Sequence, residues 1–311
     1  MRMYFAAIIL LVVTQSRAQK VETVYQKSGD SSANLYVVVH PPSLPLKGYL
    51  LLIPGMFQKA ADVLVQTNLA KHAANQGLLT VVPTFSTGIA SVGIDLTTQE
   101  DLRKLLQHLA AKYDLGRLPF YLGGFSIGGT CAIRYAELAL SNDIDPKPVA
   151  VFAIDAPLDF ERMYNNMLRE ARLTGSGGDA LAESNYMLNY FNRVFGGSPA
   201  QALGKYRELS PYSFTDTTQA AIKSLINLPL RLYTEPDIHW WLRDGVDYSL
   251  MNAFDFAALA NELKRLGNTK VELITTDNKG YRNGGKQRHP HSWSIAEQVD
   301  LVAWLKKQQA K

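Results

Sequence analysis

Along the chain, short blocks of continuous apolar residues alternate with longer stretches whose apolar positions recur every three or four residues. Segments 21–26 and 34–40 read as strands, the second carrying LYVVV into a Pro41-Pro42 stop. Gly48–Ile53 (GYLLLI) is apolar throughout, as a strand buried on both faces should be, and Pro54-Gly55 ends it. A helical period covers 61–75 and closes at Gly77, and 78–82 is the next apolar strand. Thr97-x-x-Glu100 has the form of a capping box, opening a helix with Leu102, Leu105, Leu106 and Leu109 on one face. Further strands are expected at 119–122, 148–154, 228–233 and Val271–Thr275, with helices at 127–140, 254–266 and 294–306.

Strands that alternate with helices imply an α/β protein with a mostly parallel sheet of about eight strands, covered on both faces. The two N-terminal strands, preceding the alternation, suggest an antiparallel edge. Residues 158–222 interrupt the rhythm with helical stretches, glycine-rich turns at 175–178 and 196–199, and many aromatics. They read as a helical cap inserted over the sheet, within one domain spanning 19–311.

Composition narrows the class. With 311 residues, 47% apolar and 19% charged, the chain is neither disordered, collagen-like nor disulfide-rich. A net charge of +4 is too mild and too scattered to argue for nucleic acid. The single cysteine, Cys131, excludes an intrachain disulfide and a cysteine-based zinc cluster, and its place one turn into a helix suggests a small buried residue. Residues 1–18 have Arg2, an apolar run over 5–13 and small residues at Ser16 and Ala18 before Gln19, the pattern of a cleaved secretory signal. That run is shorter than the roughly 20 residues that span a bilayer. A secreted or periplasmic protein without a membrane span after cleavage is therefore expected.

The most specific chemical signal is Gly124-Phe125-Ser126-Ile127-Gly128, a G-x-S-x-G sequence between an apolar strand and a helix. At such a bend the serine is strained and exposed, the glycines avoid clashes with neighbouring backbone, and the following helix lends its positive end to a developing oxyanion. With its strand and helix context, this segment resembles the nucleophile elbow of the α/β-hydrolase superfamily, and the resemblance extends over most of 30–308. It implies Ser126 as nucleophile and the Ile127 amide as one oxyanion donor. The turn Pro54-Gly55-Met56-Phe57 resembles the family's oxyanion turn, with proline in place of its histidine, and Met56 becomes the second donor.

The same resemblance puts the base after the last strand, within Arg288-His-Pro-His-Ser-Trp293. His291, in its His-Ser-Trp setting, is favoured over His289. The acid follows a later strand. Asp237, in Thr234-Glu-Pro-Asp237, is the first choice, with Glu235 two residues away and Asp155, directly after the strand at 148–154, as rivals. Trp240 and Trp241 beside the acid loop are candidates to line a substrate pocket, whereas most of Tyr164, Tyr186, Tyr190, Phe191 and Phe195 should pack the cap. The basic, glycine-rich stretch 278–285 leads to the base.

The implied activity is an exported serine hydrolase that cleaves carboxylic esters of a small-molecule or acylated substrate through an acyl-enzyme. A peptidase or amidase with the same residues, and a catalytically silent binding protein, are the alternatives. Serine rather than aspartate at the elbow disfavours dehalogenase and epoxide hydrolase chemistry. The sequence carries no cofactor fingerprint and no metal motif, and the oligomeric state is not legible in it.

Overall fold

The computed structural model describes residues 19–26, 33–43, 45–173 and 179–308. The apolar leader 1–18 lies outside the described residues, and with it the expected signal peptide.

Eight strands form one sheet: β1 (Val21–Tyr25), β2 (Leu35–Val39), β3 (Gly48–Ile53), β4 (Leu78–Thr84), β5 (Phe120–Phe125), β6 (Ala150–Ile154), β7 (Leu230–Thr234) and β8 (Val271–Thr275). Their order is β1-β2-β4-β3-β5-β6-β7-β8. β1 and β2 pair antiparallel with each other and β2 with β4, and every later pairing is parallel. This is the mostly parallel sheet with an antiparallel edge that the apolar blocks imply.

Helices cover both faces. They are α1 (Ala60–Gln66), α2 (Leu69–Asn75), α3 (Leu96–Tyr113), α4 (Ile127–Ser141), α5 (Phe160–Leu173), α6 (Asp179–Phe195), α7 (Pro199–Leu209), α8 (Ile238–Trp241), α9 (Ala253–Arg265) and α10 (Gln298–Lys307). Alternation along β3 separates the two cores: Tyr49, Leu51 and Ile53 join the layer under α3, α4 and α9, and Leu50 and Leu52 the layer under α1, α2 and α10. Because β3 contributes to both layers it must be apolar at every position, which is why its sequence shows no alternation.

Three expected boundaries differ, each for a local reason. The helical period over 61–75 is two helices, broken where Thr67 turns extended and its hydroxyl accepts from the Leu69 amide. The helix assigned to a capping box at Thr97 begins earlier, because Asp95 accepts from the Thr98 amide at 2.8 Å and fixes the start at Leu96. The last helix begins only at Gln298, where Glu297 accepts from the Val299 and Asp300 amides.

Between β6 and β7 the chain forms α5, α6 and α7. Phe160, Tyr164, Phe191, Phe195 and Tyr206 pack these helices together and down onto Val92, Ile94 and Ile127, so the aromatics of this region serve mainly its own packing. Arg162 Nε pairs with the buried Asp255 carboxylate at 2.6 Å and ties α5 to α9. No helix among the described residues is long and apolar enough to cross a membrane.

Candidate active site

Ser126 stands at the junction of β5 and α4 with φ 52° and ψ −130°. A non-glycine residue held there is strained, and the surrounding packing keeps it so. A Cβ on Gly128 would lie 2.1 Å from the Ile53 carbonyl oxygen, and one on Gly124 would lie 2.4 Å from the Gly128 backbone. β5, β3 and α4 therefore meet too closely for any other residue at those two positions. Ser126 occupies the N-cap of α4, yet its hydroxyl makes no capping hydrogen bond. The alternative of a serine present only to cap a helix is not what the geometry shows.

Ser126 and His291 line one cavity of about 720 Å³ between the ends of the strands and the α5–α6 pair. His291 Nδ1 is 2.6 Å from Asp155 Oδ2. The other carboxylate oxygen of Asp155 accepts from the Thr234 hydroxyl at 2.7 Å, and its backbone carbonyl accepts from the Asn252 side-chain Nδ2 at 2.8 Å. Phe125, the residue before the serine, packs its ring against the imidazole at 4.4 Å between centroids. The imidazole is thus held on one edge by a carboxylate and on one face by the elbow itself.

Asp237 is not the partner of His291. Its Oδ1 accepts from the Trp240 amide, capping α8, and its Oδ2 pairs with Arg288 at 2.7 Å. The reason is topological. β6 lies beside β5, so the residue that directly follows β6 emerges next to the elbow. Asp155, with φ 45°, turns its carboxylate toward His291 from there. Asp237 follows β7, one strand farther out, and is drawn off by the turn into α8.

Glu235, the other rival, is buried and braces the loop that leads to His291. It accepts from the Lys279 and Gly280 amides and the Thr276 hydroxyl, and pairs with Arg288 at 2.7 Å. Arg288 also donates to the Gly280 carbonyl, and Arg282 donates to the carbonyl of His291 itself. The basic, glycine-rich stretch therefore has a structural use, although Arg282 also borders the cavity.

His289 packs against both tryptophans, with its ring 4.7 Å from Trp240 and 5.7 Å from Trp241, whose own rings are 4.9 Å apart. Its Nδ1 accepts from the His291 amide, and its ring lines the cavity. Burial, then the positive charges of Arg282, His291 and Arg288, push its pKa down to about 3, so it stays neutral near neutral pH. Trp241 lines the cavity; Trp240 stands behind His289. Of the two tryptophans proposed to bind substrate, only Trp241 borders that space.

A histidine kept neutral by the fold costs stability when the unfolded chain can protonate it. Its contribution is whole above its ordinary value of 6.5 and declines as pH falls toward about 3. His289→Gln is expected to flatten the fall in melting temperature over that acid window relative to the native protein, as thermal melts across pH will show.

The turn after β3 faces the elbow. Met56 and Ile127 both border the cavity, and neither amide has a hydrogen-bond partner among the described residues. Gln58 holds the turn in place: its Oε1 accepts from the Gly55 amide at 3.0 Å and from the buried Trp293 indole at 3.2 Å. The tryptophan of the His-Ser-Trp sequence thereby links the loop that carries His291 to the turn after β3, a role its sequence position does not disclose. For any reaction that builds negative charge at the Met56 amide, Gln58→Leu is expected to lower kcat by about tenfold with KM changed less than about twofold, since a loosened donor costs less than a deleted one. Steady-state kinetics checks this.

No protein-family model and no curated protein sequence matches the chain. Solved structures do. The chain superposes on an S-formylglutathione hydrolase from Agrobacterium tumefaciens with a TM-score of 0.58 at 13% identity, over 94% of this chain and 95% of that one. The fold is that of the α/β-hydrolases. A truncated carbohydrate esterase from gut microbiota gives 0.59 at 15% identity over 93% and 96% of the two chains. A lipase in its open form gives 0.57 at 13% identity over 93% and 99%. The strand-end cavity takes Ser126 and Asp155 from the ends of the neighbouring strands β5 and β6, and the long loop between β8 and α10 brings His291 back to them.

Proposed function

We propose that this protein is an exported serine hydrolase that cleaves carboxylic esters, with Ser126 as nucleophile, His291 as general base and Asp155 as its carboxylate partner. The observation that carries the reading is the 2.6 Å contact between His291 Nδ1 and Asp155, at the wall of the cavity that Ser126 also lines. The printed names of the fold neighbours (hydrolase, esterase, lipase) support the same reaction class.

The chemistry follows from the arrangement. With Nδ1–H donating to Asp155, the lone pair of His291 is on Nε2. Nε2 takes the Ser126 proton as Oγ attacks the acyl carbon. The carbonyl oxygen gains the electron pair and is held by the Met56 and Ile127 amides, aided by the positive end of α4. Collapse expels the alkoxide, which leaves with the proton from Nε2. Water, deprotonated by the same nitrogen, then attacks the acyl-enzyme and frees the acid and Ser126. Asp155 stabilises the imidazolium in both halves.

A panel of p-nitrophenyl esters and peptide anilides tests the reaction class. Ester turnover well above anilide turnover is expected; the reverse order would make the protein a peptidase or amidase. Export rests on residues 1–18 alone. Expression in a secreting host is expected to yield a mature protein that begins at Gln19 by N-terminal sequencing.

A further inference from the structure

Every methionine after residue 18 borders one space. Met56, Met163, Met167, Met187 and Met251 all line the cavity beside Ser126, although they come from the oxyanion turn, α5, α6 and the segment before α9. Met167, Met187 and Met251 are buried there. Met163 and Met167, four residues apart on α5, form one stripe.

The adjoining stripe of α5, Arg162, Asn166 and Glu170, also borders the cavity, but its polar atoms are committed elsewhere. Arg162 is held by Asp255 and the Ser249 carbonyl, Asn166 donates to that carbonyl, and Glu170 accepts from the Ser184 hydroxyl. What this wall offers an incoming group is therefore methylene and thioether. Methionine is unbranched, has three rotatable bonds and a polarisable sulfur, and reshapes itself around irregular apolar groups. Rigid walls of branched or aromatic residues would suit one fixed shape; five methionines suit a flexible one.

Building on the proposed ester hydrolysis, we infer that the preferred substrates are esters bearing a flexible alkyl group of about four to eight carbons, seated on the methionine wall. Such a group is long enough to touch more than one methionine and short enough to share about 720 Å³ with the reacting ester.

The test compares two series: p-nitrophenyl esters from acetate to octanoate, which vary the acyl group, and alkyl acetates from methyl to octyl, which vary the alcohol. In one series kcat/KM should climb two- to fourfold per methylene up to six carbons, fourfold being the equivalent of ~0.8 kcal/mol for a fully buried CH₂. Branched analogues should stay within about tenfold of linear ones. Filling the wall with Met167→Phe and Met187→Phe should lower the long-to-short ratio of that series at least tenfold.

Where those variants fold poorly, native protein treated with hydrogen peroxide answers the same question. Sulfoxide makes the wall polar, while Cys131 is fully buried. The long-to-short ratio should fall as Met163 and Met167, the more accessible pair on α5, oxidise by mass. A flat or falling profile in both series, or a ratio untouched by full oxidation of those residues, overturns the inference while leaving ester hydrolysis intact. A protein that hydrolyses no ester and is labelled by no fluorophosphonate overturns both.

Discussion

Ser126→Ala is expected to reduce ester turnover by at least about 10⁴-fold and to leave the melting temperature within about 2 °C of the native value. The asymmetry is the content of the prediction. The hydroxyl makes no cap for α4, and the bend is enforced by backbone contacts around Gly124 and Gly128, so alanine inherits the same strained position. What it removes is the hydroxyl oxygen that, on the proposed mechanism, bonds the acyl carbon. The two donor amides and the cavity remain, so a small residual rate and unchanged substrate binding should persist. A p-nitrophenyl ester assay beside a thermal melt reads both halves. Turnover that survives would move the nucleophile elsewhere, whereas turnover and fold lost together would leave only a structural role.

The second large effect separates two aspartates. Asp155→Asn is expected to lower kcat by about 10³ to 10⁴-fold, because an amide no longer fixes the Nδ1–H tautomer or balances the imidazolium. Asp237→Asn should keep kcat within about tenfold of native. It keeps the cap of α8, because an asparagine side-chain oxygen accepts the same hydrogen bond, and removes only the charge of the Arg288 pair, so the melt should shift little. Steady-state kinetics on the two variants, at equal folded concentration, decides. The opposite ranking would make Asp237 the acid and require the base loop to rearrange on binding.

Much of the architecture is legible in the sequence because buried parallel strands announce themselves. GYLLLI, the strand that ends at Phe125 and the strand before Asp155 carry no charged residue and are buried at every position, since both faces of the sheet are covered. The elbow is legible for a related reason: three glycines in six residues between strand and helix have few other uses. The choice of acid is not, because two aspartates each follow a strand by one to three residues. Only the lateral order of β5, β6 and β7, set by crossovers far apart in sequence, says which lies nearer His291.

Side-chain commitments are equally silent. Nothing in Glu-Pro-Asp237 tells that Arg288, some fifty residues later, claims both carboxylates. Two adjacent tryptophans look alike in sequence, but the short turn of α8 sends Trp241 to the cavity and Trp240 behind His289. Gln58 carries no motif, and its value comes from the Trp293 indole that reaches it across 235 positions. The methionine wall is invisible for the same reason, being assembled from four separate segments.

Identification of the residue modified by a fluorophosphonate, by tandem mass spectrometry of the intact protein after treatment, tests the central claim most directly. The account predicts a single stoichiometric adduct on Ser126, blocked by prior incubation with a good ester substrate and lost in His291→Ala, where no base remains to take the serine proton. An unmodified Ser126 in folded protein, or an adduct on another residue with full loss of ester turnover, would contradict it.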